Sequence, residues 1–332
     1  METILAQTVH DWELIICDSY SDDGAWEYFQ KFKDDRRIRM MQVPRAGLYA
    51  GWNECLRRAD GEYVYIATSD DTMSRDCLEK LAIPLMRFPS VKIALCDFSD
   101  INEQGQPMEL APRPYQKFLG EWMDAPSIRN GKTEFLLHCA FGTTIWVTIT
   151  ALLFRRNLLD EVGYFRTDLG SKADEAWTLR ASLATDIVFV PEKLATWRHH
   201  SRQASRLWNA REGERVMCQS LESVIRDPDS GIPNSWKKVA GWDKALSAHY
   251  RQKYDYTFKL FRWAARQAPG TFIADLRQAL RLAPEWFWHQ TWRGYPALDN
   301  EEFDSAGQAL HLINLFKAEW PPKRLEQERT LG

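Results

Sequence analysis

The sequence predicts an α/β fold: a sheet with parallel central strands across the first two hundred residues, followed by a helical C-terminal region. Three observations predict it. Short apolar runs of strand character alternate with segments of helical periodicity from residue 13 to about residue 194. Two of the runs end in acids, Asp18 and Asp70-Asp71, at the carboxyl ends where open α/β sheets bind ligands. From about residue 206 the alternation stops, and apolar residues recur at three- and four-residue steps.

The elements follow in order. ELIICD (13–18) is a short apolar run with the character of a buried parallel strand. DGAWEYFQKFK (23–33) has helical spacing, with Trp26, Phe29 and Phe32 available for one face. RIRMMQV (37–43) reads as strand. LYAGWNECLRRA (48–59) reads as helix, with Leu48, Trp52 and Leu56 on one face and Arg57-Arg58 at its C-terminal end. Gly61 ends that pattern, YVYIATS (63–69) is a strand, and 74–86 is a helix that Ser74 could cap. KIALCDF (92–98) is a further strand, and 101–114 is a polar, proline-bearing connection. Residues 115–140 fit neither pattern cleanly. A β-branched stretch predicts a strand over 144–154, then a short helix at RRNLLDEVG, a helix near 174–185 and a strand at 187–194.

In the C-terminal region Val239, Trp242, Leu246, Tyr250, Tyr254, Phe258 and Phe261 mark a long amphipathic helix. Residues 271–283 and 305–320 predict two more, each stopped by proline. The expected division is therefore an α/β domain over 1–205 and a helical appendage over 206–332. No internal repeat or low-complexity segment is present.

Composition narrows the class. The 332 residues are 45% hydrophobic and 27% charged, enough apolar content to bury a core. A net charge of -3 argues against a non-specific nucleic-acid binder, which would carry a basic excess. No stretch of about 18 or more apolar residues exists, so no membrane-spanning helix is expected. No signal peptide is expected either. The six cysteines are scattered without a C-x-x-C pair, which signals neither zinc nor redox chemistry and fits a cytoplasmic protein. The 15 tryptophans fit an aromatic core or sugar-stacking surfaces. The cluster EWFWHQTW (285–292) could stack on an acceptor sugar or meet a membrane surface, and more often such a cluster is helix–helix core.

Adjacent carboxylates at a strand end suit a hard divalent cation that bridges phosphates, and they equally suit loop acids that cap the next helix. The order of the segments weighs on that choice. QTVHDWELIICDSYSDDGA, PRAGLYAGWNECLRRADGEYVYIATSDD, ADEAWTLR and TWRHH stand in sequence. Together they resemble the inverting family 2 glycosyltransferases of the GT-A fold, a Rossmann-like nucleotide-diphospho-sugar transferase architecture. The resemblance covers roughly residues 3–205 and leaves out the C-terminal helices. Any one block is weak, and four in order are specific.

The resemblance implies roles at matching positions. Asp18 matches the first acid of the nucleotide-binding turn, which contacts the base. Arg45, Gly47 and Asn53 match the region that approaches the nucleotide and packs under it. Thr68 holds the first position of the D-x-D motif and Asp70 the last, the metal ligand, with Asp71 its neighbour. Asp174 matches the general base. His200, with Arg198, matches the R-x-H that reaches the diphosphate or metal. The implied cofactor is Mn²⁺ or Mg²⁺, the donor a nucleotide-sugar, and the acceptor a glycan or a lipid-linked sugar. The C-terminal helices are the expected place for peripheral contact with the inner face of a membrane, or for homo-oligomer contact.

The sequence also departs from the family. Ser19 and Tyr20 replace the second Asp and the Gly of D-D-G-S, Thr68 replaces an Asp, and Ala173 replaces a Glu. Met1 falls inside the helix that normally follows a first, nucleotide-lining strand, so that strand is expected to be missing from this record. Two rival classes follow. One is a non-catalytic, degenerate GT-A binding or scaffold protein. The other is a glycoside hydrolase with paired carboxylates, against which the ordered nucleotide-binding blocks argue.

Overall fold

The computed structural model describes residues 1–201, 210–252 and 304–325. The sheet lies in two parts. β1 (Leu14–Asp18) pairs in parallel with β2 (Ile38–Gln42). A six-stranded sheet runs in the order β3-β6-β4-β7-β5-β8. Its strands are β3 (Tyr63–Tyr65), β4 (Ile93–Ile101), β5 (Ser127–Arg129), β6 (Leu152–Arg155), β7 (Ile187–Arg198) and β8 (Lys323–Arg324). Among the described strands, β1 pairs only with β2 and β3 only with β6. Leu14, Ile15 and Ile16 of β1 and Tyr65 of β3 border the same cleft.

The helices include α1 (Glu2–Leu5), α2 (Ala25–Phe29), α3 (Leu48–Arg58), α4 (Cys77–Arg87), α5 (Pro114–Leu119), α6 (Gly131–Phe141), α7 (Leu159–Val162), α8 (Ala173–Ala184), α9 (Ala210–Arg226), α10 (Asn234–Lys237) and α11 (Ser305–Phe316). The predicted alternation is present, with three differences. The large sheet is mixed rather than parallel at its centre: β4 and β7 are parallel, but β6 runs antiparallel between β3 and β4. The segment before β6 explains this, since Ile149 and Thr150 stand at the cleft and β6 starts there and runs away from it.

Secondly, the strand expected over 144–154 is a strand only from Leu152, after a single 3₁₀ turn at Ile149–Ala151. The β-branched residues there are buried, but their backbone is held by side chains rather than by a ladder. Ile145 N–H donates to His138 Nδ1 at 2.9 Å, Thr144 N–H to Glu175 at 2.8 Å, and the hydroxyls of Thr148 and Thr150 lie 2.8 Å apart. Thirdly, residues 115–140 resolve into α5, β5 and α6. α6 is buried on nearly every side, which erases the amphipathic period that would have marked it.

One core spans the described residues. Phe135 of α6, Phe154 of β6 and Trp177 of α8 belong to it, and so do Leu221 of α9, Trp236 of α10 and Phe316 of α11. Trp146, Trp177 and Trp236 are among the tryptophans buried there, and Tyr49, Phe165 and Trp177 stack in a column, with centroids 5.7 and 5.1 Å apart. Residues 210–252 and 304–325 thus pack into the α/β core, β8 joining the edge of β5. The boundary expected at 205, the predicted helix over 271–283 and the cluster at 285–292 lie outside the described residues. No helix among the described residues is long and apolar enough to cross a membrane.

Gly131 opens α6 where helix and sheet come closest. Its N–H donates to Asp186 Oδ1 at 2.9 Å, and a Cβ there would collide with the carbonyl oxygens of Thr185 and Ser182. Gly131→Ala should destabilise the fold by about 3 kcal/mol, at the upper end of typical overpacking costs, because both obstacles are backbone. Urea unfolding of the variant measures it, and a change below about 1 kcal/mol would show that the contact relaxes freely.

Candidate active site

The carboxyl ends of β1, β3 and β7 open onto a cleft of about 2010 Å³. That exceeds the common range of about 300–1,000 Å³ for a single small-molecule site. Asp18, Arg45, Gly47, Thr68, Asp70, Asp71, Asp174 and His200 all border it. Asn53 and Arg198 do not.

At the β1 flank, Asp18 is buried and accepts Ser21 N–H at 3.1 Å and Gln42 Nε2–H at 3.3 Å. Burial pushes its carboxyl up, but the hydrogen bonds from Ser21, Gln42 and Tyr20 outweigh burial and hold it below the ordinary value, so it is an anion at neutral pH. The turn beyond it carries Tyr20 at φ 55, a left-handed conformation uncommon for a bulky residue. Arg45 braces this turn, donating to the carbonyls of Ser19 at 3.3 Å and Tyr20 at 3.0 Å. Gly47, at φ 100, turns the chain into α3 beside the cleft.

At the centre, His200 Nε2 lies 3.0 Å from Asp70 Oδ2. Asp71 turns the other way. Its Oδ2 accepts the hydroxyls of Thr68 at 2.8 Å and Thr150 at 3.3 Å, and its Oδ1 accepts Arg198 N–H at 2.7 Å. Burial raises its pKa and those hydrogen bonds partly offset the rise. The metal-ligand role expected of Asp71 is therefore corrected to a bracing one, since its oxygens are committed to protein donors.

Arg198 requires a similar correction. Its guanidinium reaches backbone carbonyls, Asp70 at 2.6 Å, Asn102 at 3.2 Å and Glu103 at 3.1 Å, instead of a diphosphate. Thr68 likewise spends its hydroxyl on Asp71. Asn53 is buried, its Nδ2–H donating to Phe165 O at 2.7 Å and its Oδ1 accepting Phe165 N–H at 3.0 Å. It clamps α3 to a loop more than a hundred residues away and touches no part of the cleft.

Asp174 stands in the first turn of α8, half-buried. Burial raises its pKa, and Lys172 and a hydrogen bond from the Tyr49 hydroxyl offset only part of the rise. Tyr49 is itself pushed far up, by burial first and then by Asp174, so it stays a protonated donor. The adjacent Glu175 is nearly sealed and bonds the Tyr250 hydroxyl and Thr144 N–H. Sequence reasoning missed Tyr49, Tyr250 and a further pairing of Asp100 with His199 and Arg113, each at 2.7 Å. Tyr49 stands inside a motif block but at a position to which the resemblance attaches no role, Asp100 follows a predicted strand without a motif, and only the fold shows their partners.

Among the described residues no group of three or more His, Cys, Asp and Glu side chains is placed to hold a metal unaided. Asp70 and His200 present one carboxylate oxygen and one imidazole nitrogen side by side at the cleft, donor types that suit a divalent cation.

Comparison with known proteins agrees with this architecture. The family model for glycosyl transferase family 2 matches residues 1–163. An uncharacterized protein of Mycobacterium tuberculosis is 29% identical over 292 residues, spanning 81% of this chain and 88% of that one. A putative teichuronic acid biosynthesis glycosyltransferase of Bacillus subtilis is 32% identical over 33% of this chain and 44% of its own length. A mannosyltransferase of Pyrobaculum calidifontis, solved with GDP-Man and Mn²⁺, superposes with a TM-score of 0.53 at 19% identity, over 96% of this chain and 82% of that one.

Asn53→Ala should cost about 2–3 kcal/mol, because the Phe165 N–H and C=O lose their partners in a buried setting. Nucleotide affinity of the folded variant should stay within about twofold of the parent, a difference of only a few tenths of a kcal/mol. Urea unfolding and nucleotide titration read the two separately, and lost affinity at full stability would restore Asn53 to the binding site.

Proposed function

Residues 1–163 belong to glycosyl transferase family 2, and on that premise we propose that the chain moves a hexosyl group from a nucleoside diphosphate donor to a hydroxyl of a glycan or lipid-linked acceptor, in surface polysaccharide synthesis, with metal assistance and inversion at the anomeric carbon. The observation that carries the reading is the convergence on one cleft of an anionic Asp18, the Asp70–His200 pair and a half-buried Asp174 with a raised pKa. A non-catalytic scaffold would have no use for that set.

Asp18 receives the nucleotide end of the donor, with Arg45 holding the turn that shapes its pocket. Asp70 and His200 would hold the divalent cation, Mn²⁺ or Mg²⁺, which would supply stabilisation of the charge on the leaving diphosphate. Asp174 takes the proton of the acceptor hydroxyl as its oxygen bonds to the anomeric carbon. The bond from that carbon to the diphosphate breaks, and the diphosphate leaves with the electron pair. Attack from the face opposite the leaving group inverts the centre and needs no enzyme nucleophile. Burial makes Asp174 a stronger base than an exposed aspartate, and Lys172 and the Tyr49 hydroxyl offset part of that rise in favour of the carboxylate. The proposed location is the cytoplasm, with contact at the inner face of the membrane where a lipid-linked acceptor would be met.

Asp174→Asn should lower the rate of transfer by about 10²- to 10⁴-fold, the usual worth of a positioned base. Nucleotide binding should be preserved. Near-parental turnover in this variant would remove Asp174 from the chemistry. The base works only when deprotonated, so activity should fall as pH falls through its raised pKa. Lys172→Met removes a cation that lowers that pKa, and the acid limb of the kcat/KM profile should move to higher pH. An unmoved limb would mean that another group titrates.

Asp70→Ala should weaken Mn²⁺-dependent binding of a nucleoside diphosphate, with one hard ligand lost. Calorimetry with and without Mn²⁺ measures it. Full transferase activity in excess chelator would argue against the metal site.

A further inference from the structure

Trp197, Arg113 and Lys117 border the same cleft as Asp18, Asp70 and His200. This part of its wall carries an aromatic ring and two cations that the proposed chemistry leaves unused. Trp197 lies near the end of β7, half-buried and bordering the cleft. Its ring is braced from several directions. Phe98 meets it edge-on at 6.4 Å, His199 lies against it at 4.6 Å, and the Arg113 guanidinium sits 5.6 Å from its centroid.

Asp100 fixes that arrangement. Its Oδ1 takes both Arg113 Nη2 and His199 Nε2 at 2.7 Å. A guanidinium has five N–H donors, and the described side-chain hydrogen bond of Arg113 runs from Nη2 alone to Asp100. Lys117, one helical turn further along α5, is exposed and borders the cleft as well. Among the described residues no ion pair is recorded for it. Asp100 pairs with Arg113 and Asp97 lies within its field, whereas no ion pair balances Lys117 among the described residues, so the uncompensated charge on this wall is the ammonium of Lys117.

We propose that Trp197, Arg113 and Lys117 form an acceptor subsite that selects a sugar carrying an anionic group, a phosphate or a carboxylate. The apolar face of the sugar ring lies on the indole, which is rigid because it is packed from behind. The anion meets the guanidinium and the ammonium. Asp100 and His199 are positioning residues that hold the ring and the guanidinium. The inference rests on the transferase reading, because a nucleotide donor seated at Asp18 leaves this part of the wall to the acceptor.

The test uses the full chain saturated with Mn²⁺ and whichever of UDP, GDP or dTDP it binds. Glucose 6-phosphate, glucuronate and methyl glucoside are then titrated by saturation-transfer NMR. At least one charged sugar should bind about tenfold more tightly than the neutral one, and the two charged arms distinguish phosphate from carboxylate. Lys117→Glu should abolish that preference, and Trp197→Ala should weaken all three sugars while Trp197→Phe restores part of the loss. Nucleoside diphosphate affinity should stay within about twofold in each variant. Equal binding of charged and neutral sugars, no sugar binding, or a preference that survives Lys117→Glu would overturn the subsite while leaving the transferase reading intact. A parent chain that binds no nucleoside diphosphate would overturn both.

Discussion

The carboxylate of Asp71 is the interaction on which the site depends. It joins three segments: the loop after β3 through Thr68, the turn before β6 through Thr150, and the end of β7 through Arg198 N–H. Arg198 then returns a bond to the carbonyl of Asp70. Around this knot the loop and β7 run together. Thr72 and Thr196 exchange backbone and hydroxyl bonds, Met73 bridges Ala195, and Ser74 N–H reaches Leu194 O. Asp70 and His200 meet because the loop that carries Asp70 is tied at Asp71 to Arg198, the last residue of β7, two positions before His200. A buried carboxylate is costly unless its oxygens are satisfied, and three donors satisfy this one.

A second contrast between neighbours governs the far wall. Asp174 and Glu175 are adjacent in the first turn of α8, yet their environments divide their roles. Glu175 is buried and bonded to Tyr250 and Thr144, so it links residues near 250 and the segment before β6 to the base of the helix. Asp174 is left half-exposed to the cleft with Tyr49 as its donor. The Tyr49–Phe165–Trp177 column sets the distance between α3 and α8. Loosening it would separate the donor from the carboxylate before it disturbed either residue's own contacts.

This division explains what was legible in the sequence. The alternation of strand and helix could be read because most elements are amphipathic or end in recognisable turns. The acids at Asp18, Asp70 and Asp174 could be read because motif order singled them out. Orientation could not. Both Asp70 and Asp71 border the cleft, and that Asp70 meets His200 while Asp71 braces the loop depends on the tie to β7, a contact between residues more than 120 positions apart. Asn53 and Arg198 looked like ligand residues because polar groups in motifs usually are, and the fold spends both on backbone clamps. α6 and the segment before β6 were obscure for the opposite reason: complete burial removes the periodicity that sequence reading relies on.

The donor flank rests on the least ordinary part of the architecture. β1 and β2 form a two-stranded parallel pair, and a pair this small is marginal without outside support. Side chains supply that support where a shared ladder would normally do so. Gln7 is buried and bonds Thr3 O, Ser74 O and Leu78 N–H, joining the segment before β1 to the start of α4. Glu13 accepts the N–H groups of Asp60 and Gly61, fixing the start of β1 to the turn before β3. Asn53 adds the clamp to Phe165. Each tie leads to the large sheet or its helices, and none of them passes through the cleft. The pocket around Asp18 therefore keeps its place by peripheral polar contacts. Small shifts in those contacts would move the nucleotide end of the donor relative to Asp70 and His200, which the Asp71 knot holds on the other part of the fold.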